Sequence, residues 1–312
     1  MKTALACFGF GRPEFYQRML KSVGNCSEII NQQIDVFHFL DGGEGSMQQD
    51  LKSVIEKSGT PYKEIIAREC NYGVGRQLIS ARRELLDIRS YDRMIMMEDD
   101  IEVGKTYFSA ILSLSDWSQD YEDVGTVQVW NVQSGSKEDL SNRMGELVLT
   151  NRHFVTYCLS KKVWDKIKPM IYEYEQKYLL KKDYLKRPHY RIRYFMSKQI
   201  KKGVQKQSGN LLNPPKQAIS HPFPKIDWRR SPTSQDAITS LALHNAGLVR
   251  ITTLVPRAFY FGDTGVHCTP EVYREMGFHE QGHWQWELEE ESKDFSILYK
   301  DKEGNWLSSI YR

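Results

Sequence analysis

Three consecutive carboxylates, Glu98, Asp99 and Asp100, follow directly on the apolar run at residues 94–97. Burying such charges unpaired is costly, so we expect them at the carboxyl end of a buried strand, facing a cation or a ligand. A hard divalent ion such as Mn²⁺ or Mg²⁺ takes oxygen ligands, and carboxylates can share it with the oxygens of a diphosphate. The simpler alternative is an acidic turn that caps the next helix.

Two other motifs point to different chemistry. The stretch "FGFGRPE" has Gly9-x-Gly11 after an apolar run, but Glu14 replaces the third glycine of a dinucleotide fingerprint, which argues against a Rossmann dehydrogenase. The stretch "HEQGH" matches the His-Glu-x-x-His zinc pattern, with His279 and His283 as ligands and Glu280 as general base. Gly277 and Gly282 flank and interrupt the helix that such a site needs, so a zinc hydrolase remains a remote alternative.

The elements that position the carboxylates alternate between strand and helix. Apolar runs at 3–10, at 34–43 and before Glu98 predict strands, as does the shorter apolar centre of 62–69, and amphipathic stretches between them predict helices. This order predicts an α/β fold with a mostly parallel central sheet and helices on both faces. Ligands of such sheets bind at the carboxyl ends of the strands. One crevice can therefore bring together the side chains that follow the strand ends, which are Arg12, Asp41, Asn71 and the three carboxylates 98–100.

The second half of the chain is less regular. Strands are predicted at 125–132, 146–160 and 248–262, and the polar stretch 134–142 is predicted to be a loop. The Pro- and Ser-rich stretch 207–233 predicts an irregular loop over the site. A well-signalled helix follows, because Ser234 can cap it and Gly247 can end it.

Charge is unevenly distributed along the 312 residues. Segment 161–230 has 19 Lys and Arg against five acidic residues, whereas the whole chain has a net charge of +3, which predicts an anionic partner for this segment. The most basic part, 177–206, is interleaved with tyrosines; this suits an anionic membrane surface or nucleic acid, and the plain alternative is a solvated helix pair. Five scattered cysteines, and no apolar run long enough to span a bilayer, favour a cytoplasmic protein, with attachment at the membrane surface as the alternative.

Four stretches in this order resemble GT-A glycosyltransferases: "RPEFYQRMLKSV", "LDGG", "NYGVGRQL" and "MIMMEDDIEVGKTYF". They are most similar to the N-acetylglucosaminyltransferase I type and to bacterial and viral family 2-like enzymes. The resemblance covers residues 3–115 well and extends loosely to about 270. It implies a single catalytic domain, 1–312. The divisions expected are a nucleotide-sugar-binding half at 1–115, an acceptor half at 116–270 with a basic helical insertion at 164–206, and a C-terminal extension at 271–312.

The resemblance also implies roles for individual residues. Asp100 would bind Mn²⁺ or Mg²⁺, Asp99 would approach the ribose, and Asp41 would read the nucleobase. Arg12, Asn71 and Arg76 would lie near the nucleotide. Asp236 would be the general base, with Asp227 as its rival, and His267 would touch the metal or the diphosphate.

The expected reaction is a metal-dependent, inverting transfer of a sugar from a nucleoside-diphosphate sugar to an acceptor hydroxyl. A glycan or lipid-linked glycan is the favoured acceptor, and a modified base of DNA, bound by residues 177–206, is the alternative. A nucleic-acid-binding module without catalysis is disfavoured, because phosphate binding gains nothing from Asp99 and Asp100.

Overall fold

A computed structural model describes residues 1–43, 45–132, 136–150, 155–180, 184–200, 230, 232–265, 268–282, 294–300 and 306–308. The strands are β1 (Thr3–Gly9), β2 (Asp35–Leu40), β3 (Glu64–Ala67), β4 (Arg93–Met97), β5 (Ile101–Val103), β6 (Val124–Gln128), β7 (Glu146–Leu149), β8 (Thr156–Ser160), β9 (Val249–Thr253), β10 (Ala258–Tyr260), β11 (Ser296–Lys300) and β12 (Trp306–Ser308). The helices are α1 (Pro13–Val23), α2 (Ser27–Ile30), α3 (Gly45–Ser58), α4 (Gly73–Arg82), α5 (Tyr107–Trp117), α6 (Lys137–Ser141), α7 (Lys161–Tyr178), α8 (His189–Gln199), α9 (Gln235–Asn245) and α10 (Pro270–Glu275). A π-helical stretch, Arg83–Ile88, prolongs α4.

The central sheet has the strand order β12-β11-β7-β9-β6-β8-β4-β1-β2-β3. The four strands of the first 100 residues, in the order β4-β1-β2-β3, are all parallel, as the alternation of strand and helix predicts. Beyond β4 the sheet is mixed, because β8 pairs antiparallel with both β4 and β6, whereas β6 and β9 are parallel. The strand order reverses between β1 and β4, and the crevice of such a switch lies at their carboxyl ends.

Helices cover both faces of this sheet, which confirms the predicted α/β class. Alternate residues of β1 belong to separate hydrophobic clusters, because successive side chains of a strand point to opposite faces. Leu5 and Cys7 pack in the cluster that includes residues of α1, α3 and α5. Ala4 and Ala6 pack in the cluster that includes residues of α4, α7, α8 and α9. The described part of residues 177–206, called the basic segment below, therefore lies on the second face.

Three sequence predictions need correction. The stretch 146–160 forms two strands with different neighbours, β7 beside β9 and β8 between β4 and β6, rather than one. The stretch 248–262 is also divided, because β10 leaves the large sheet and pairs with β5 in a separate two-stranded sheet. The polar stretch 134–142 contains α6, where the Ser136 hydroxyl accepts a hydrogen bond from the Asp139 backbone N–H.

The helical prediction for 164–206 is confirmed where the chain is described, by α7 and α8. The predicted loop 207–233 lies almost wholly outside the described residues. Within the ranges given above, no helix combines the length and the apolar character needed to cross a membrane.

Candidate active site

The triple carboxylate lies between β4 and β5, at the carboxyl end of a fully buried strand. Asp99 and Asp100 are each 5% exposed, and the backbone carbonyl of Asp100 accepts a hydrogen bond from the Phe261 N–H at 3.0 Å. Phe261 directly follows β10, so the pairing of β5 with β10 fixes the backbone of the motif. The predicted position of the carboxylates at a strand end is therefore correct.

Arg12, three residues after β1, forms ion pairs with both aspartates. Its Nε donates to Asp99 Oδ2 at 3.2 Å, and its Nη2 donates to Asp99 Oδ1 and, at 3.1 Å, to Asp100 Oδ2. Its Nη1 donates to the carbonyl of Thr264 at 3.3 Å, and its guanidinium lies 4.7 Å from the centroid of the Phe15 ring. One guanidinium thus neutralises part of a cluster that contains two buried carboxylates.

Burial makes these carboxylates difficult to ionise together. Burial and the charge of Asp100 raise the pKa of Asp99 to about 7, although Arg12 acts in the opposite direction. Burial also raises the pKa of Asp100, again opposed by Arg12. For Glu98, burial and the charges of Asp100, Asp236 and Asp99 raise the pKa well above its usual value. A bound cation would relieve this repulsion.

Gly262 allows the close approach of the loop after β10 to the carboxylates. A Cβ atom at this position would lie 2.6 Å from Asp100 Oδ2 and 2.6 Å from the Tyr260 hydroxyl. A larger residue would therefore have to displace one of these two groups.

Asp41 and the loop after β3 form the neighbouring part of the crevice. Asp41 Oδ1 accepts hydrogen bonds from the backbone N–H groups of Gly42, at 2.9 Å, and Tyr72, at 2.7 Å. Burial raises the pKa of Asp41, and these hydrogen bonds act against the rise. Asn71 Oδ1 accepts from the Gly73 N–H at 2.7 Å. The end of β2 is thus tied to the loop that carries Asn71.

Arg76, in the first turn of α4, stacks on this same loop. Its guanidinium lies 3.7 Å from the centroid of the Tyr72 ring. Arg68 lies on the same ring at 5.2 Å, so two cations flank the loop. Such an edge suits an anionic ligand.

Asp236 lies in the first turn of α9, as predicted, where the Ser234 hydroxyl accepts a hydrogen bond from the Ala237 N–H. Burial raises the pKa of Asp236 to about 6, although the nearby cations Arg82 and Arg250 lower it. The charge of Asp236 in turn contributes to the raised pKa of Glu98. A carboxylate with a pKa near 6 can accept a proton at neutral pH.

Arg82 links α4, β8 and α9 behind Asp236. This fully buried side chain donates to the Tyr157 hydroxyl at 2.5 Å, to Gln235 Oε1 at 2.8 Å and to Thr239 Oγ1 at 3.2 Å. Its Nε donates to the Met96 sulfur at 3.3 Å. All these partners are neutral, so within the described residues the positive charge of Arg82 acts on Asp236 and is not part of an ion pair.

Tyr184, from the basic segment, joins the two parts of the crevice. Its side chain packs against Gly73 and Gly75 at the start of α4, and its hydroxyl accepts a hydrogen bond from the Gln235 backbone N–H. Burial raises the pKa of Tyr184 to about 12, and the charges of Asp236 and Glu98 act in the same sense, although Arg187 opposes them. The basic segment is therefore part of the crevice wall.

Arg187 and His189 anchor the same segment to the chain just before α9. Arg187 Nε donates to the Thr233 carbonyl at 3.1 Å, and His189 Nδ1 and Thr233 Oγ1 are 2.6 Å apart. Arg187 therefore has a structural role, unlike the surface cations of α8.

The fit of a divalent ion depends on Asp100. No group of three or more His, Cys, Asp or Glu side chains in the described part of the chain can hold a metal ion. Asp100 Oδ1, however, is buried and has no hydrogen-bond partner among the residues that the structure describes. A hard cation can be bound by one or two carboxylates together with phosphate oxygens and water, so Asp100 and Asp99 fit an ion that arrives with a diphosphate.

Other predicted residues are not brought into this crevice. His267 and Asp227 lie outside the described residues. In "HEQGH", His279 and Glu280 belong to a short 3₁₀ turn, Phe278–Glu280, and Gln281 is extended; His283 lies outside the described residues. The turn is not the helix that would place two histidines on one zinc ion, so the structure does not support the zinc hydrolase alternative.

Several site residues were not predicted from the sequence. The sequence pattern indicates Tyr184 only as one of the tyrosines among the cations, and it does not indicate Gly262, Arg82 or Arg250. A charged residue within the apolar strand β9, as at Arg250, is a usable signal, because a buried charge requires a compensating group. The spacing of Gly73 and Gly75 similarly indicates that a side chain approaches the backbone there.

The sequence matches no protein-family model and no curated protein. Solved structures that resemble the fold include the mannosyltransferase PcManGT of Pyrobaculum calidifontis in complex with GDP-Man and Mn²⁺, with 10% identity over 53% of this chain and 46% of that chain (TM-score 0.40). TarS of S. aureus aligns with 12% identity over 53% of this chain and 29% of its own (TM-score 0.37). Glucosyl-3-phosphoglycerate synthase of Mycobacterium tuberculosis, in complex with Mn²⁺, UDP-Glc and phosphoglyceric acid, aligns with 11% identity over 53% of this chain and 59% of its own (TM-score 0.34). The chain thus covers less than two thirds of each of these proteins.

Proposed function

We propose that this protein is a GT-A-type glycosyltransferase that uses a nucleoside-diphosphate sugar and a divalent ion. The observation that carries the proposal is Asp100, a buried carboxylate with one unpartnered oxygen, at the strand switch point next to Arg12. A structural acidic turn would expose its charges to water, whereas this one buries two aspartates at the edge of a crevice. The α/β sheet and the resemblance of the N-terminal motifs agree with this assignment.

The donor is assigned to the carboxyl ends of β1, β2 and β4. Asp41 would bind the nucleobase, Asp99 the ribose, and Arg12, Asn71 and Arg76 would lie along the nucleotide. Asp100 would hold Mn²⁺ or Mg²⁺, with His267 as a further candidate ligand. The ion would supply positive charge that stabilises the departing nucleoside diphosphate.

Asp236 is the proposed general base. Its carboxylate would accept the proton of the acceptor hydroxyl as that oxygen attacks the anomeric carbon from the face opposite the leaving group, which inverts the configuration. Arg82 and Arg250 would keep the carboxylate sufficiently acidic to be ionised at neutral pH. The water-poor surroundings make the carboxylate a stronger base than an exposed aspartate.

The acceptor is proposed to be anionic or to lie on an anionic surface, because the basic segment forms part of the crevice wall. Residues 184–200 include five Lys and Arg and no acidic residue, and Tyr190 is 82% exposed. A glycan or lipid-linked glycan at the cytoplasmic face of a membrane is the favoured acceptor. A modified base of DNA is the second candidate, because exposed tyrosines beside cations also suit stacked bases.

A thermal-shift screen tests the proposed function. Purified protein is heated with UDP-, GDP- and CDP-sugars, each with and without Mn²⁺. We expect one nucleotide class to raise the Tm by several degrees only with Mn²⁺ present, because a ligand at about 100 times its Kd stabilises the folded state by about 2.7 kcal/mol. If no nucleotide sugar raises the Tm under either condition, the assignment is wrong.

A further inference from the structure

Arg12 occupies the position from which a cation would approach the two aspartates. Its Nη2 donates to an oxygen of each carboxylate, and its Nε occupies the second oxygen of Asp99. Among the described residues, three of the four carboxylate oxygens have a partner and Asp100 Oδ1, which is buried, has none. A divalent ion can therefore take both oxygens of Asp100 only after Nη2 has moved.

The side chain has the means to move. Arg12 precedes α1 at a non-helical position, with φ −131° and ψ 70°, and 28% of its side chain is exposed. Apart from the aspartates, the described residues offer its side chain one hydrogen bond, a long one to the Thr264 carbonyl. A guanidinium also binds phosphate oxygens in the same two-pronged manner as carboxylate oxygens.

We propose that Arg12 is an exchangeable counter-ion that couples metal binding to nucleotide binding. Arg12 pairs with Asp99 and Asp100 until a divalent ion takes over the carboxylates, and it then pairs with the phosphates of the nucleotide. This inference rests on the proposed function, because it concerns the same metal and donor site.

The charges at the site explain why the two ligands should help each other. A divalent ion on its own must compete with Arg12 for Asp100 and leaves that guanidinium without an anionic partner. A diphosphate on its own is repelled by the carboxylates and must draw Arg12 away from them. When both ligands are bound, the carboxylates pair with the ion and Arg12 pairs with the diphosphate. Each ligand should therefore strengthen the binding of the other by the same factor.

The test measures Mn²⁺ binding directly, from the electron paramagnetic resonance signal of free Mn²⁺. Titrations are made alone and with saturating UDP, GDP or CDP, corrected for the Mn²⁺ held by nucleotide in solution. The proteins compared are the native chain, Arg12→Gln and Arg18→Gln. Arg18, in the adjacent helix α1, is the matched control, because it also pairs with a carboxylate, that of Glu102, and its side chain is 46% exposed.

For the native protein we expect one nucleotide to strengthen Mn²⁺ binding about tenfold or more, within the usual range of coupling between sites. Arg12→Gln should bind Mn²⁺ alone about tenfold more tightly than the native protein, and the nucleotide should then strengthen Mn²⁺ binding by a smaller factor than in the native protein. Arg18→Gln should behave like the native protein. Because Arg12→Gln leaves buried carboxylates less compensated, Mn²⁺ alone should also raise its Tm more than it raises the native Tm.

Three results would overturn the inference. The first is that Arg12→Gln binds Mn²⁺ no more tightly than the native protein does. The second is that no nucleotide strengthens Mn²⁺ binding to the native protein. The third is that the nucleotide strengthens Mn²⁺ binding by the same factor in the native protein and in Arg12→Gln. If Arg12→Gln does not fold, Arg12→Lys, which keeps the charge but loses the two-pronged contact, should show the same change to a smaller extent. If no form binds Mn²⁺ with any nucleotide, the proposed function itself fails, whereas native coupling that survives in Arg12→Gln rejects only the role of Arg12.

Discussion

The ring of Tyr184 lies so close to Gly75 that a Cβ atom on this glycine would be 2.4 Å from Tyr184 Cε2. Gly75 belongs to the start of α4, after the loop that is hydrogen-bonded to Asp41, whereas Tyr184 belongs to the basic segment. The contact therefore holds the basic segment against the part of the site that is assigned to the nucleotide.

A methyl group at Gly75 should disturb this contact. We expect Gly75→Ala to lower the free energy of unfolding by about 1–3 kcal/mol, as overpacking of a buried site usually does. Urea denaturation measures the loss. In a Tyr184→Ala background the same substitution should cost much less, since the clashing ring is gone; an equal cost in both backgrounds would show that the ring is not responsible.

Asp100→Asn should remove metal-dependent nucleotide binding and leave the fold intact. The substitution removes a negative charge from a cluster in which burial already disfavours ionisation, so the Tm without ligands should not fall by more than a few degrees. The Mn²⁺-dependent rise in Tm with nucleotide should disappear. A folded Asp100→Asn protein that retains the full Mn²⁺ effect would exclude Asp100 as a ligand.

Gly262→Ala should impair the same binding through geometry alone. The new methyl group would lie 2.6 Å from Asp100 Oδ2, so the carboxylate must shift. Gly265→Ala is the matched control in the same loop, because its Cβ would meet Arg12 Nη1 at 3.5 Å and the Cys268 carbonyl at 3.8 Å, which are ordinary contact distances that displace neither group. We expect calorimetric titration with Mn²⁺ and nucleotide to show weaker binding for Gly262→Ala than for Gly265→Ala. Equal affinities would mean that the loop after β10 moves without disturbing the site.

Asp236 should determine the acidic limb of the pH profile. Only the ionised carboxylate accepts a proton, so with a pKa of about 6 the value of kcat/KM should fall as the pH drops below 6 and level off above it. Asp236→Asn should lower kcat by about 10² to 10⁴ at neutral pH, with donor affinity unchanged.

Asp139→Asn provides the control for this substitution, because Asp139 also lies in the first turn of a serine-capped helix, α6, but is exposed. It should leave kcat close to native. A normal kcat in Asp236→Asn would transfer the role of base to another residue, and Asp227 would be tested next.

Reversing the charge of the basic segment should weaken acceptor use without affecting the donor. Arg187 is kept because it anchors the segment to Thr233. The variant Lys186→Glu, Arg191→Glu, Lys198→Glu should raise the acceptor KM, and its binding to anionic vesicles should lose about 1 kcal/mol or more per reversed charge.

A control with the same change in charge is Lys21→Glu, Lys57→Glu, Lys105→Glu, at exposed cations elsewhere on the protein. Acceptor KM should be unchanged in this control. If instead the native protein does not bind anionic vesicles but binds single-stranded DNA, with an affinity that falls steeply as the salt concentration rises, the DNA alternative is favoured. An unchanged acceptor KM in the basic-segment variant would mean that α8 is only a solvated surface.

The sequence alone determined the features that depend on neighbouring residues. Apolar runs predicted β1, β2 and β4, since a strand buried on both faces needs an almost continuous hydrophobic stretch. The mixed stretch 62–69 predicted β3, which is more exposed. Ser234 predicted the start of α9, because a cap acts within one turn of its helix. The position of the triple carboxylate after β4 followed from the same local pattern, and the alternation of strand and helix predicted that the first four strands are parallel.

Only the tertiary structure decided which distant residues meet. Arg12 and Asp99 are 87 positions apart, and Arg82 and Gln235 are 153 apart, so no local pattern in the chain joins them. The division of 146–160 into β7 and β8 depended on which strands were available as hydrogen-bond partners, a property of the whole sheet. The pairing of Arg12 with Asp99 and Asp100 was likewise not foreseen, because the cost of burying two carboxylates becomes apparent only once the strands that surround them are in place.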